Sequence, residues 1–210
     1  MYLPAHFAEP RVEALHAFLR SVGLFTVVTQ GEGGLDASHV PLLLDPAHGE
    51  QGRLLGHVAR ANAQWKATPE GSTAIAIAVG PDAYVSPSWY PSKREAGKAV
   101  PTWNYVAVHV HGVVRLFHDR DRLLDVVERL TARHEGGRAH PWKVSDAPPD
   151  YLDAMLKGIV GVELEIARIE GKWKASQNRS EADRRGVVDG LRADGHEAMA
   201  SLVEEALRRE

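Results

Sequence analysis

Two proline-interrupted segments, residues 84–93 and 100–105, bring aromatic and polar side chains together. Trp89, Tyr90 and Trp103 lie there among hydroxyl, amide and lysine side chains. The prolines forbid a continuous helix, and a purely structural segment would carry aliphatic residues at a regular period. Flat rings beside hydrogen-bonding groups therefore predict a binding surface for a planar, polar ligand. The alternative is a long hairpin whose aromatic side chains fill the end of a barrel.

A second polar segment, residues 171–179, contains two lysines, an arginine, a tryptophan and a Gln-Asn pair. A phosphate dianion favours such cationic donors, and the edge of a planar heterocycle favours amides, which both donate and accept. Two other interpretations stay open. One is an exposed basic turn before a helix, and the other is a DNA contact, which the nearby acids Glu181 and Asp183 weaken.

Other catalytic and binding motifs fit this chain less well. Residues 31–34 lack the third glycine of a dinucleotide-binding motif. Ser38 and His39 are sequence neighbours, so on a strand they point to opposite faces and make a poor nucleophile–base pair. His109 and His111 share one face of a strand, as metal ligands can, but the polar face of a strand explains them equally well. The sequence therefore predicts no metal site and leaves catalytic residues unassigned.

Length, composition and charge set the class of protein. The 210 residues suffice for one large domain with a proper core, and the net charge of -3 gives no global reason to bind nucleic acid. The absence of cysteine excludes disulfides, thiolate nucleophiles and thiolate metal sites. No apolar run approaches the ~20 residues of a membrane helix, and the chain does not open on a signal-like stretch. We therefore expect a cytoplasmic protein without a membrane partner.

Short strands with hairpin spacing, edged by helices, predict an antiparallel barrel and not a parallel α/β sheet. The fold class is thus mainly β with flanking helices (α+β), with helices over residues 10–22 and 119–133 outside the barrel. A single domain, 1–210, is expected to end in a helical appendage, about 180–210, interrupted at its three glycines. Strands are predicted over residues 24–29, 37–44, 53–58, 73–79, 103–117 and 160–166.

Several motifs, found in order along nearly the whole chain, resemble the PaiB-type FMN-binding regulators. They are the opening MYLPAHF, GHVARAN (56–62), YVSPSWY (84–90), VPTWNY (100–105), VHVHG (108–112) and KWKASQNR (172–179). The resemblance implies an FMN-binding split β-barrel, related to the pyridoxamine phosphate oxidase and flavin reductase folds. It also implies a homodimer with flavin at the interface, and a negative transcriptional regulator of protease synthesis and sporulation.

Three functions stay open at this point. The first is a flavin-binding transcriptional regulator, although no helix-turn-helix is recognised and the charge does not support DNA binding. The second is an FMN-dependent oxidoreductase acting on a small molecule, in which the cofactor carries the chemistry. The third is a haem-binding split-barrel protein, since related split barrels handle haem and the chain has 11 histidines.

Given an FMN ligand, each part of the cofactor calls for a different side-chain chemistry. For the phosphate dianion we expect two cations supported by hydroxyl groups: Arg60 with Lys93 or Lys174, and Ser38, Ser86 and Thr102. For flat apolar contact with the isoalloxazine ring we expect aromatic side chains: Trp89, Tyr90 and Trp103. For hydrogen bonds to the edge of the ring we expect amides and a histidine: His39, Asn62, Asn104, Gln177 and Asn178.

Overall fold

The computed structural model describes residues 1–208, and the side chains of all of these except residues 94–96. The strands are β1 (Ala8–Glu9), β2 (Phe25–Gly31), β3 (Gly34–Val40), β4 (Leu42–Asp45), β5 (Arg53–Ala59), β6 (Thr73–Val85), β7 (Thr102–Phe117) and β8 (Ile159–Lys174). The helices are α1 (Val12–Ser21), α2 (Ala63–Ala67), α3 (Pro91–Ala96), α4 (Arg120–Glu135), α5 (Pro149–Lys157), α6 (Glu181–Ala193) and α7 (Glu197–Arg208).

The strands form one sheet in the order β3-β2-β6-β7-β8-β5-β4, and β1 pairs with β8. The order is an open path, with β3 and β4 at its two ends. The pairs β1–β8, β2–β3, β2–β6, β4–β5 and β5–β8 are antiparallel. The predicted α+β class, mainly antiparallel β with helices beside the sheet, is confirmed.

Several element boundaries differ from the sequence prediction, including the end of β6, which lies at Val85 and not at residue 79; three differences have a clear physical reason. Residues 37–44 form two strands, β3 and β4, because Pro41 between them has no N–H to donate to a ladder. Strand β8 continues eight residues beyond Ile166, where the apolar alternation ends, because its last part pairs with β1. Helix α6 runs uninterrupted through Gly186 and Gly190, so the predicted break at these two glycines is wrong.

The chain divides into two compact units. The terminal unit comprises residues 1–11 and 79–108 and the chain from residue 170 onward, and the central unit comprises residues 12–78 and 109–169. In the terminal unit, the end of β6, the segment after it and helices α6 and α7 share one buried core: Ala83, Val85, Tyr90, Val187, Leu191, Met199 and Val203. In the central unit, strands β4, β5 and β7 and helices α4 and α5 share a second buried core: Leu43, Leu55, Phe117, Leu123, Val126, Leu130 and Leu156.

The predicted helices outside the barrel are present as α1 and α4, and α4 shows how the sequence sets its bounds. Asp119 caps its N-terminus by accepting a hydrogen bond from the backbone N–H of Arg122. Among residues 1–208, no helix is long and apolar enough to cross a membrane. The division into a single domain with a C-terminal appendage stays a prediction.

Candidate functional site

The candidate residues fall into two sets. The central unit contains Ser38, His39, Arg60 and Asn62. The terminal unit contains Ser86, Trp89, Tyr90, Lys93, Thr102, Trp103, Asn104, Lys174, Gln177 and Asn178.

An exposed pair of aromatic rings lies in the terminal unit. Tyr84 on β6 and Trp103 on β7 are 45% and 54% exposed, respectively. Their ring centroids are 6.1 Å apart in an edge-to-face arrangement. This pair offers flat apolar area to a planar ligand. Sequence reasoning omitted Tyr84 from the candidates, although it opens the motif at residues 84–90 and alternates with the buried Ala83 and Val85.

Two of the predicted ring contacts instead belong to the core of the terminal unit. Tyr90 is buried among the α6 and α7 side chains, and the guanidinium of Arg179 lies 4.8 Å from the centre of its ring. Trp89 is half-buried, and its indole fills the space left by Gly190 on α6. Ser86 caps the short 3-10 turn that carries Trp89 by accepting a hydrogen bond from the N–H of Ser88. For Trp89 and Tyr90, these contacts favour a packing role against α6 and α7, and their contact with the flavin ring stays a prediction.

Asn104 is fully buried on β7 and fixes the turn that follows β8. Its side-chain N–H donates to the hydroxyl of Ser176 at 2.9 Å. Ser176 has a left-handed backbone conformation, with φ of 63°, which is uncommon for a residue with a Cβ. A buried amide therefore holds a strained turn in place.

The same turn orders its own amide side chains. Gln177 accepts a hydrogen bond from the backbone N–H of Ala175 at 2.8 Å and donates to the carbonyl of Trp173 at 2.6 Å. Asn178 is exposed at the tip of the turn. The turn thus presents Asn178, and not Gln177, as the side chain with an open hydrogen-bonding edge.

Cations gather at the end of β8. The ammonium of Lys174 donates to the hydroxyl of Thr102 at 2.7 Å and to the carbonyl oxygen of Trp103. The pKa of Lys174 is lowered, first by burial and then by the charges of Lys172 and Arg179. The sequence places Lys172 and Arg179 in the cationic segment 171–179, but only Lys174 is predicted there to contact the phosphate. The Lys-x-Lys spacing could have identified Lys172 as a neighbour of Lys174, because residues 172 and 174 lie on one face of a strand.

Lys93 and Arg60, the other two candidate cations, lie in different environments. Lys93 is exposed on α3 in the terminal unit. Arg60, in the central unit, donates through Nε to the carbonyl of Lys157 at 2.6 Å and through Nη2 to that of Ile159 at 2.8 Å. Its guanidinium is thereby fixed in one orientation, which makes it a preorganised point of positive charge.

Ser38 and Asn62 are brought together in the central unit. The side-chain N–H of Asn62 donates to the hydroxyl of Ser38 at 2.8 Å, and its carbonyl oxygen caps α2 through the N–H of Gln64. His39 points away from Ser38 and lies 3.1 Å from the hydroxyl of Thr26 on the neighbouring strand. The strand geometry that excludes a Ser–His nucleophile pair is therefore present.

Comparison with known sequences identifies the family. Residues 1–168 match the family model described as "Putative FMN-binding domain". The chain is 32% identical to the Bacillus subtilis "Protease synthase and sporulation protein PAI 2", over 213 residues and all of both chains. It is 33% identical to an uncharacterized protein of Emericella nidulans, covering 98% of this chain and 97% of the relative.

Solved structures share the fold at low sequence identity. The FAD and heme binding protein of Mycobacterium smegmatis matches with a TM-score of 0.58 and 17% identity, over 80% of this chain and 73% of that one. A conserved hypothetical protein of Mycobacterium tuberculosis matches with a TM-score of 0.59 and 14% identity, over 86% and 95% of the chains. At this identity the likeness supports the split-barrel fold and nothing further.

Proposed function

The chain belongs to the PaiB-type FMN-binding family, and from that premise we propose that it acts as a flavin-containing regulator of transcription. Its cofactor is FMN and its fold is a split β-barrel. The regulatory role is supported by the name of the Bacillus subtilis relative, which assigns that protein to protease synthesis and sporulation. The observation that carries the ligand assignment is the exposed Tyr84–Trp103 pair beside hydrogen-bonding and cationic groups.

The side chains of the terminal unit suit the isoalloxazine ring. This ring has an apolar dimethylbenzene end and a pyrimidine edge that donates and accepts hydrogen bonds. Trp103 and Tyr84 supply accessible flat surface, and Asn178 supplies an exposed amide. The side-chain amides of Asn104 and Gln177, in contrast, form hydrogen bonds within the turn after β8, so we assign these two residues a positioning role.

Both units contain donors that suit the FMN phosphate. Arg60 supplies a fixed guanidinium, and Ser38 and Asn62 supply short polar groups in the same unit. In the terminal unit, Lys174 and Thr102 form a cation–hydroxyl pair of the kind a phosphate also favours. Lys93 and Ser86 stay candidates for this role. Each unit therefore contains donors of the kind that the phosphate of a dianionic cofactor favours.

The part played by this chain is to bind and orient the cofactor. When bound, FMN supplies the capacity for one- or two-electron redox chemistry. The fixed guanidinium of Arg60 and the rigid turn at Ser176 reduce the ordering cost of binding, because both are already held in one conformation.

We further propose that the chain forms a homodimer in which both protomers contact the flavin. An open apolar groove on the sheet of the central unit supports this, since it is lined by Val28, Ile75 and Val113 and bordered by Leu35, which is 75% exposed. Light scattering at micromolar concentration tests the assembly, and a monomer mass would refute it. The expected cytoplasmic location is also part of the proposal and is tested by cell fractionation.

DNA contact through the C-terminal helices is not part of this proposal. Helices α6 and α7 are joined by a short turn containing Gly195, a connection that helix-turn-helix motifs also use. However, the exposed side of α7 carries Glu197 and Glu205 beside Arg208, and the net charge of the chain is -3, which does not favour the phosphate backbone of DNA. Regulation is therefore expected to act without α7 entering a DNA groove.

The visible spectrum of the purified protein, reconstituted with FMN, tests the proposed function. Twin flavin bands that stay with the protein through gel filtration support it, whereas a Soret band with no flavin uptake would assign a haem-binding function instead. Rapid bleaching by NADH would favour the oxidoreductase over the regulator. A reporter fused to a protease promoter, measured with and without the gene, then tests the regulatory role directly.

A further inference from the structure

A cavity of about 170 Å³ lies in the terminal unit, and neither ring of the Tyr84–Trp103 pair lines it. It is formed by β1, the last residues of β8 with the turn after them, and the C-terminal half of α7. A water takes up ~30 Å³ of liquid, so the cavity has room for a ligand of several non-hydrogen atoms. Its walls combine two carboxylates, one indole and apolar side chains: Glu9, Glu205, Trp173, Ala175, Leu202 and Ala206.

The charged side chains that line the cavity are both acidic. Glu9 on β1 is buried, and its Oε1 accepts a hydrogen bond from Nε of Arg11 at 2.8 Å. Arg11 offsets the charge of Glu9, but its guanidinium is half-exposed and does not line the cavity. Glu205 is exposed at the rim, on α7. Within the described part of the chain no lysine or arginine lines the cavity, so its charge favours a cation.

The end of α7 adds negative potential to the same cavity. Leu202, Glu205 and Ala206 lie in the last turns of this helix, which ends at Arg208. The carbonyl groups of the last turn carry partial negative charge, which favours a nearby cation. Arg208 also lies in that turn and pairs with Glu204 at 3.2 Å. Leu202 and Ala206 are four residues apart, so they share one face of α7 and form an apolar wall.

Trp173 contributes a half-buried indole to the wall. An indole attracts a cation placed over its face more strongly than the other aromatic side chains do. Strand alternation turns Lys174 to the opposite face of β8, where its ammonium donates to Thr102. Gln177 fixes the adjoining turn by accepting from the N–H of Ala175 and donating to the carbonyl of Trp173. The wall is therefore preformed, which lowers the ordering cost of binding.

We propose that this cavity binds a small organic cation, namely a primary ammonium group on a short alkyl chain. The ammonium is a compact charge with three donors, which suits the carboxylate of Glu205 and the carbonyl oxygens at the end of α7. The alkyl chain suits the apolar wall of Leu202 and Ala206 and the indole of Trp173. Flavin binding is not required for this site, so it can be tested with and without FMN.

The probe is butylammonium, with 1-butanol and butyrate as neutral and anionic analogues of similar size. In an NMR titration of the whole chain at constant ionic strength, butylammonium should shift the indole N–H of Trp173 and the methyl groups of Leu202. The indole of Trp142, which is exposed in the central unit, should not shift. Butylammonium should bind roughly tenfold more tightly than either analogue, because only it forms a charge-assisted hydrogen bond with a carboxylate. Equal binding of 1-butanol would overturn the cation site, and so would shifts at Trp142 in place of Trp173.

Glu205→Gln removes the charge at the rim and keeps the shape of the side chain. It should weaken butylammonium binding roughly tenfold and leave that of 1-butanol unchanged. Glu197→Gln is the matched control, because Glu197 is an exposed carboxylate near the start of the same helix and does not line the cavity. An equal loss in both variants would refute the cavity as the binding site. Protein that binds FMN but not butylammonium refutes this site alone, whereas protein that binds butylammonium but not FMN refutes the proposed function alone.

Discussion

Trp89 and Gly190 are in direct contact, and the contact requires glycine. A Cβ added at Gly190 would fall inside the indole at a separation well under 3.0 Å, which Cβ atoms essentially never show. Gly186, one turn earlier on α6, meets the carbonyl of Trp89 in the same way. A glycine inside a helix costs about 1 kcal/mol relative to alanine. The packing of α6 against Trp89, which only glycine allows at this distance, offsets that cost.

Gly190→Ala should therefore destabilise the protein although alanine is the better helix former. Overpacking a filled contact costs about 1–3 kcal/mol, which exceeds the gain in helix propensity. Chemical denaturation measures the effect. Asp189→Ala, on the exposed side of the same helix, is the control and should lie within about 0.5 kcal/mol of wild type. A more stable Gly190→Ala variant would mean that Trp89 does not sit against α6.

This contact also shows where sequence reasoning stops. Hairpin spacing and amphipathic periods were enough to predict the antiparallel sheet and helices α1 and α4, since these signals are local. The glycines of α6 were interpreted as helix breaks because their real partner, Trp89, is about a hundred residues away in the chain. Likewise, the amide side chain of Asn104 suggests a ligand contact in the sequence. Only the structure, where it is buried against Ser176, indicates a positioning role.

A carboxylate on β8 makes a second test of packing. Glu163 is buried between Arg53 and Arg122, at 3.1 Å and 2.9 Å, and thereby joins β5, β8 and α4. Glu163→Gln keeps an acceptor oxygen but removes the charge that two arginines share, and Arg53 retains Asp45 at 3.0 Å, so the free energy of unfolding should fall by about 1–2 kcal/mol. Urea denaturation of the variant measures this loss.

Glu165→Gln is the matched control, two residues along the same strand. Glu165 is 49% exposed and meets Arg115 at 3.4 Å, so its ion pair is solvent-screened and worth less than about 1 kcal/mol. Equal losses in the two variants would show that burial does not set the strength of these pairs.

His57 on β5 should make stability depend on pH. Burial lowers the pKa of His57 below its ordinary value of 6.5, and its Nδ1 is buried with no hydrogen-bond partner among the described residues. The unfolded chain therefore binds a proton at a higher pH than the folded chain does. The free energy of unfolding should fall as the pH drops below 6.5, and it should level off below the folded-state pKa.

His57→Gln removes this titration, so the stability of the variant should change less between pH 7 and pH 5 than that of wild type. Thermal unfolding at a series of pH values measures the difference. His140→Gln, which replaces an exposed histidine of the loop before α5, should keep the wild-type profile. An unchanged slope in His57→Gln would contradict a burial effect at this position.

Trp103 and Asn104 are neighbours on β7, but replacing Trp103 should weaken FMN binding, whereas replacing Asn104 should lower stability. Trp103 is half-exposed, so Trp103→Ala should leave the unfolding temperature nearly unchanged. It should weaken FMN binding by about 0.5–1.5 kcal/mol, the contribution of ring stacking beyond buried area.

Asn104→Ala leaves the Ser176 hydroxyl buried without its amide partner, so it should lower stability by about 1–3 kcal/mol. FMN titration and thermal unfolding of the same samples separate the two effects. If Trp103→Ala lowers the midpoint and leaves the dissociation constant unmoved, Trp103 is a packing residue and the flavin ring binds elsewhere.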